Sequence, residues 1–153
     1  MSSVPQVRKS KASSDMVIDH ICFAVKNLEE GITYWEKVFG YRQMTRIVIN
    51  SLQKVKVVFL EKAESLIVKL IEPLEDNKSL VNFVSRGGGF HHLCFRCDNV
   101  DDGIKDLKDK GLITLVPPQP GEAFNNHDIA FLWAKYGINI ELIDTDEKAD
   151  ILS

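Results

Sequence analysis

Two stretches in which apolar and polar residues alternate, 17–25 and 90–97, each lead directly into a segment of helical periodicity, and this pairing organises the chain. The first stretch is rich in branched residues, which predicts a strand. Asn27 then stands three residues before Glu30, close to a capping box. Leu28, Ile32, Trp35 and Phe39 fall on one helical face, and Gly40 is placed to end the helix. Further strands are predicted over 42–50, 54–61 and 65–71, with Pro73 stopping the last. After the second stretch, Asn99 is followed by Asp102 in the same capping arrangement. Val100, Ile104 and Leu107 form the apolar face of a helix ending near Gly111. A short strand over 113–116 is expected to run out into Pro117, Pro118 and Pro120, and a loop carries 121–126.

The two patterns are one pattern at an offset of 72 residues. His20 returns as His92, and Cys22, Phe23, Asn27, Gly31 and Ile32 return as Cys94, Phe95, Asn99, Gly103 and Ile104. Farther on, Phe59, Leu60, Leu70 and Ile71 are matched by Phe131, Leu132, Leu142 and Ile143. The chain therefore divides into module one (17–73), a linker (74–89) and module two (90–144), each module reading strand, helix, strand, strand, strand. In the linker Asp76 and Asn77 can cap a short helix over 78–85, and Gly87, Gly88 and Gly89 suit a flexible joint. Residues 1–16 read as a disordered arm, and residues 145–153 as a tail that frays from Lys148 onward.

Composition narrows the class. A chain of 153 residues suits one domain or two small modules sharing a core. A formal charge of -3, with signs interspersed, offers no basic field for nucleic acid or an anionic membrane. No apolar run reaches the length of a membrane span, and the start of the chain has no hydrophobic stretch behind its basic residues, so no secretory signal is read there. Cys22, Cys94 and Cys97 are an odd count on predicted strands, which fits reduced thiols and a cytoplasmic location. The Cys94-x-x-Cys97 spacing lacks the second pair that a structural zinc site needs.

The repeat also picks out the polar residues that interrupt apolar strands. Module one supplies His20 and Lys69, and module two supplies His92 and Glu141 at the equivalent places. If the modules pack about a pseudo-twofold axis, these four side chains converge. Two imidazoles and a carboxylate suffice for a divalent metal and leave positions open for water or substrate. The competing reading is a hydrogen-bonded core cluster. Strand parity turns Val55, Val57 and Phe59 inward, and by the same offset His127, Ile129 and Phe131, which makes His127 either an acid–base group or a histidine at the rim. Cys22 and Cys94 share the parity of the two histidines as small buried thiols. His91 has the opposite parity and is expected to face away from the metal.

Ile18-Asp19-His20-Ile21, Ala24-Val25-Lys26-Asn27-Leu28, Leu70-Ile71-Glu72-Pro73-Leu74, Phe90-His91-His92-Leu93, Ile129-Ala130-Phe131-Leu132 and Ile140-Glu141-Leu142 together resemble the vicinal oxygen chelate superfamily. That superfamily includes glyoxalase I, methylmalonyl-CoA epimerase, extradiol dioxygenases and the fosfomycin and bleomycin resistance proteins. The likeness spans 17–144 and is nearest to the epimerases and glyoxalase-like lyases. It implies an α+β fold in which two βαβββ modules pair into a cupped mixed sheet with helices outside. It implies metal ligands at His20, position 69, His92 and Glu141.

Relatives usually carry Glu or Gln at position 69, where this chain has Lys69. An ammonium roughly 5 Å from a divalent ion is repelled by about 6 to 7 kcal/mol at an effective dielectric near 20. Three outcomes stay open: a neutral Lys69 acting as base beside the metal, a Lys69 that swings away, or an ammonium that replaces the metal and pairs with Glu141. The resemblance implies a metal-dependent epimerase or lyase that takes a proton next to the carbonyl of a small acyl or hydroxyacyl substrate, with Lys69, His127 or Glu141 moving the proton. The alternatives are an Fe(II) oxygenase using His20, His92 and Glu141, and a non-catalytic binding or resistance protein. A coenzyme A substrate would call on Lys54, Lys56, Arg42 and Arg46 as a basic rim, and a homodimer would be in keeping with the superfamily.

Overall fold

The computed structural model describes residues 13–153, so the predicted arm lies outside the described residues as far as residue 12. Its last part is not a loose arm: Ser13–Asp15 form a turn of 3-10 helix, and Met16 packs on an apolar cluster with Cys97 and Leu142.

The modules meet through their first strands. β1 (Val17–Ala24) and β6 (Gly89–Arg96) pair antiparallel, with Ile21 opposite Leu93, His20 opposite Cys94 and Cys22 opposite His92. Adding 72 to 20, 21 and 22 gives 92, 93 and 94, so this register is its own image about a pseudo-twofold axis beside the Ile21–Leu93 pair. β5 (Ile67–Pro73) runs parallel to β1, and β9 (Ile138–Ile143) runs parallel to β6. Outside them lie β4 (Val55–Glu61) and β8 (His127–Ala134), both antiparallel to their neighbours. β7 (Ile113–Gly121) forms one edge, and β2 (Arg42–Gln43) and β3 (Val48–Asn50) pair with β4 at the other. The result is one nine-stranded mixed sheet in the order β2-β4-β5-β1-β6-β9-β8-β7, with β3 also on β4, as two paired βαβββ modules require.

Alternation along the strands separates the two faces. Val55, Val57, Phe59, Ile71, Ile129 and Phe131 pack inside the cup. Val58, Leu60, Val68 and Leu70 take the outer face, under Leu28 and Ile32 of α1 (Leu28–Phe39). Ala130, Leu132 and Leu142 do the same for Val100, Ile104 and Leu107 of α3 (Val100–Asp109). Each helix begins as expected, with Asn27 Oδ1 accepting from Glu30 N at 2.9 Å and Asn99 Oδ1 accepting from Asp102 N at 3.0 Å. A glycine lets each helix sit close: a Cβ on Gly31 would meet Leu70 Cδ1 at 3.3 Å, and one on Gly103 would meet Leu142 Cδ2 at 2.9 Å. α2 (Lys78–Ser85) is the predicted linker helix, with Asn77 accepting from Leu80 N. Among the described residues no helix is long and apolar enough to cross a membrane.

Three local expectations change. β7 continues through Pro117, Pro118 and Pro120, which an edge strand tolerates because one side needs no ladder bonds, and its register slips between Val116 and Gln119. The three linker glycines are not a loose joint. Gly88 has φ +64°, and a Cβ there would lie 2.4 Å from the carbonyl oxygen of Ala24. Nor does the tail fray: Ala149 N donates to Ala123 O at 2.9 Å, Arg46 N donates to Asp150 O at 2.9 Å, and Leu152 N donates to Met44 O at 3.0 Å. Those bonds tie module two to module one across the end of the cup.

Gly88→Ala is expected to lower stability by at least about 2 kcal/mol, through both a disfavoured φ and an overlap with backbone. Denaturant melts of this variant beside Gly87→Ala, where a Cβ meets nothing within 4 Å, measure the overlap separately from the backbone strain.

Candidate metal centre and adjoining cavity

Two rungs of the sheet assemble the site. In one, Phe59, Lys69, Cys22 and His92 stand opposite one another across β4, β5, β1 and β6. In the other, Phe131, Glu141, Cys94 and His20 do so across β8, β9, β6 and β1. The second rung is the symmetry image of the first. Residues sharing a rung share a face, so four strands deliver four polar side chains to the inside of the cup. The imidazoles of His20 and His92 come within 5.8 Å of each other, and each meets a phenyl ring edge to face at 5.3 Å, Phe59 and Phe131 respectively.

Glu141 is the focus of the cluster and is fully buried. Its Oε1 lies 2.9 Å from His20 Nε2 and 3.2 Å from His92 Nε2, and its Oε2 lies 3.1 Å from Lys69 Nζ. Burial alone would raise the Glu141 pKa, but the Lys69 ammonium and the imidazoles beside it outweigh it and hold the carboxyl well below its usual range. Burial likewise opposes the charge on Lys69, and the Glu141 carboxylate overcomes it and holds Lys69 above its usual value. Burial keeps His92 uncharged, with a pKa pushed down to about 3.

Each histidine has a neighbour that its strand parity would send to the other face. The β1–β6 register slips between Ile18 and His20 and again between Cys22 and Phe23, where Phe90 follows His92 on the partner strand. These irregularities bulge Asp19 and His91, which are themselves an offset of 72 apart. Asp19 is 7% exposed, and its Oδ2 meets His20 Nδ1 at 2.7 Å. His91 Nδ1 meets His92 Nδ1 at 2.6 Å, so His91 faces the site, contrary to the parity expectation. Burial pushes the His91 pKa down to about 4.

Asp19 is held in turn by the C-terminal segment. Lys148, 4% exposed, places Nζ 2.9 Å from Asp19 Oδ2 and 3.1 Å from Oδ1, and also close to the rings of Phe59 and Phe124. Arg96 adds a longer contact of 3.4 Å. Burial would raise the Asp19 pKa, but the His20 hydrogen bond and the Lys148 charge outweigh it and leave a carboxylate. A carboxylate only accepts, so the Nδ1 hydrogen of His20 goes to Asp19, and in the neutral ring Nε2 is then a lone pair turned toward Glu141. That Nε2 is buried and makes no hydrogen bond, although Oε1 lies 2.9 Å away. An acceptor nitrogen facing a carboxylate oxygen calls for a cation between them. His20, His92 and Glu141 present ligand atoms within 4.8 Å of one another and can coordinate a divalent metal. These donors fit such an ion, and Lys69 is the element of the site that opposes it.

The other residues named from sequence divide clearly. His127 does not reach the cup: it begins β8, is 40% exposed at its side chain, and is captured at the rim by Glu147 at 3.1 Å. Its parity is right but its strand starts too early. The basic rim is occupied at three of its four positions, with Lys54 on Asp76, Lys56 on Glu72 and Arg42 on Glu61. Cys94 and Cys97 share no ligand group among the described residues; Cys97 Sγ lies by the carbonyls of Asn99 and Ile143, and burial pushes its pKa up to about 11. A cavity of about 320 Å³ opens beside the cluster, reached by Lys69, His91, His92 and Glu141 and walled by Val55, Ile71, Ile129 and Phe131. The sequence reading turned His91 away from the site and gave Asp19 and Lys148 no role in it; a bulge and a distant tail put all three there.

Comparison with known proteins agrees with this arrangement. The family described as the Glyoxalase/Bleomycin resistance protein/Dioxygenase superfamily matches residues 19–131. An uncharacterised protein of Bacillus subtilis is 29% identical over 130 residues, covering 83% of this chain and 91% of the relative. The mitochondrial methylmalonyl-CoA epimerase of Dictyostelium discoideum is 26% identical over 133 residues, covering 86% and 78%. A methylmalonyl-CoA epimerase variant of Streptomyces coelicolor, solved with 2-nitronate-propionyl-CoA, superposes with a TM-score of 0.72 at 26% identity, covering 84% of this chain and 96% of that one.

Lys148→Met strands a buried carboxylate and is expected to cost about 3 kcal/mol in a denaturant melt. It should also move the His20 proton between ring nitrogens, read from the ¹⁵N shifts of the imidazole, while Lys148→Arg largely restores both. Acid sensitivity follows from the two depressed histidines. With an ordinary value of 6.5, the unfolded chain binds protons that folded His91 and His92 refuse down to about 4 and about 3. Stability therefore falls as pH drops below about 6.5, and Glu141 adds to the loss below its ordinary 4.5. On the basic side Lys69 contributes stability below its ordinary 10.5 that is lost as pH climbs through its raised folded value. Urea midpoints at pH 7.5, 5.5 and 4.5 should decline steadily, and less steeply in His91→Gln.

Proposed function

Because the chain belongs to the glyoxalase/bleomycin resistance protein/dioxygenase superfamily, we propose that it is an epimerase or lyase that takes a proton from the carbon beside a carbonyl of a small acyl or hydroxyacyl substrate, with His20, His92 and Glu141 holding a divalent metal ion. The observation that carries this reading is the unpartnered, buried Nε2 of His20 aimed at Glu141 Oε1. The relatives named as methylmalonyl-CoA epimerases support the reaction class.

When bound, the ion supplies a Lewis acid for the carbonyl oxygen and for the charge that develops as the proton leaves. The chain's own residues prepare the place. Asp19 fixes the His20 tautomer, and His91 can do the same for His92: a His92 that gives its single hydrogen to His91 Nδ1 in place of Glu141 Oε1 presents Nε2 as a ligand. Lys69 holds Glu141 by Oε2, leaving Oε1 turned to the histidines. Lys69 is the base of this reading: an ammonium while paired with Glu141, it takes the departing proton once it has lost its own, which the charge of a bound divalent ion would favour. The apolar wall excludes water from the reacting carbon.

A second reading rests on the Lys69–Glu141 ion pair itself: the two charges neutralise one another, which suits a metal-free binding pocket. Metal content after chelator-free purification, Co(II) titration, and exchange of the substrate α-hydrogen with deuterium oxide separate the two. The enzyme reading expects Co(II) binding by the parent chain and at least about 100-fold tighter binding by Lys69→Gln, since an ammonium opposing the ion is removed. A parent that binds no Co(II), beside a variant that does, overturns it in favour of the binding pocket. Bound iron with oxygen uptake would indicate an oxygenase.

A further inference from the structure

Charge and hydrogen-bonding capacity in the cavity wall bear on what enters it. Among the described residues Lys69 is the only Lys or Arg lining the cavity, and it is paired at 3.1 Å with Glu141, the only carboxylate of that lining. Lys54, Lys56, Arg42 and Arg46 do not line it. An anionic group on a substrate would meet no free cation among the described residues of this wall.

The wall is instead supplied with amides. Asn50 is fully buried, and its Oδ1 accepts from Ala123 N at 2.7 Å, which leaves Nδ2, a donor, without a protein partner. Gln53 Nε2 donates to the carbonyl of Pro120 at 3.4 Å, which leaves Oε1, an acceptor, buried and unpartnered. Asn139 Oδ1 is also buried and unpartnered. All three residues line the same cavity, and across from their amides stand Val55, Ile71, Ile129 and Phe131. Of the remaining amides, Gln119 also lines the cavity, and Asn77 is already used, by α2 at one end and by the carbonyls of Gln53 and Lys54 at the other.

We propose that the cavity selects an uncharged carbonyl compound bearing hydroxyl or amide groups, and discriminates against carboxylates and acyl thioesters of coenzyme A. A hydroxyl both donates and accepts, so a polyhydroxylated ligand satisfies Asn50 Nδ2, Gln53 Oε1 and Asn139 Oδ1 together. A carboxylate accepts only, and would set its charge against two amide oxygens that then stay unpaired. At about 320 Å³ the cavity holds the equivalent of roughly ten waters at ~30 Å³ each, room for a compound of sugar-fragment size. This narrows the hydroxyacyl substrates of the proposed reaction and relies on that reading only for the chemistry, not for binding.

Ligand-observed NMR on the full chain, with erythrulose as the uncharged probe and 2-oxobutyrate and propionyl-CoA as the anionic ones, tests it. Erythrulose is expected to bind at least about tenfold tighter than either anion, and Gln53→Met and Asn139→Leu each to weaken it about tenfold without helping to exclude 2-oxobutyrate. Equal or tighter binding of an anion, unchanged erythrulose affinity in both variants, or no binding by erythrulose overturns the assignment. Thermal melts confirm that both variants fold. Deuterium exchange at the carbon beside the carbonyl is scored separately. Erythrulose binding without exchange removes the proton-transfer reading and leaves the ligand class standing. Exchange confined to 2-oxobutyrate or propionyl-CoA does the reverse.

Discussion

A carboxylate with no access to water must be surrounded by partners or lose its charge, and Glu141 keeps its charge. Everything on the inner wall answers to that requirement. Lys69 supplies the counter-charge from the equivalent position of the other module, His92 hydrogen-bonds to it, and His20 turns a lone pair toward it because Asp19 has taken its other nitrogen. Such a cluster is not a cheap way to stabilise a fold, since well-packed apolar residues of similar volume often serve as well or better. Its retention on strands that are otherwise Leu, Ile, Val and Phe is therefore a reason to read it as chemistry.

The duplicated frame and its departures from symmetry divide the labour. Symmetry brings the four side chains together: two identical strand pairings and one self-matching β1–β6 register set the histidines 5.8 Å apart. Asymmetry then differentiates them. One bulge carries Asp19 and the other His91, so one imidazole is backed by a carboxylate and the other by a second imidazole. The tail seals the Asp19 side with Lys148, while α2 flanks the His91 side, where the cavity opens among Asn77, Ser79 and Leu80. A pocket on one side of a pseudo-symmetric cup is the consequence.

Lys69 gives the site its individual character. Glutamate or glutamine at that position would add a ligand; an ammonium adds a charge that must be neutralised before a cation is tolerated. The ion pair with Glu141 does this internally, and it also leaves the cavity with no net charge from its lining residues. The same substitution that weakens a metal site thus removes the free cation that an anionic substrate would require, and the amides of Asn50, Gln53 and Asn139 become the principal groups available for recognition.

Much of this was readable in the chain before any coordinates. Periodicity and capping residues located the strands and helices, and the 72-residue repeat identified His20, Lys69, His92 and Glu141 as one set, because side-chain direction on a strand depends only on local alternation. Parity also placed Phe59 and Phe131 correctly. It failed at His91, where a single extra residue in the ladder reverses direction and no local pattern announces it; the matching irregularity brings in Asp19. At His127 parity left open whether the ring enters the cup or sits at its rim, since direction says nothing about depth, and the fold puts it at the rim. Lys148 was the most hidden of all: it reaches a partner 129 residues away, and a contact at that separation is decided by how the finished halves close on one another. The chain alone could name the groups and the faces they share; which of them touch, which proton each ring carries, and which charges cancel depended on distances that only the folded sheet creates.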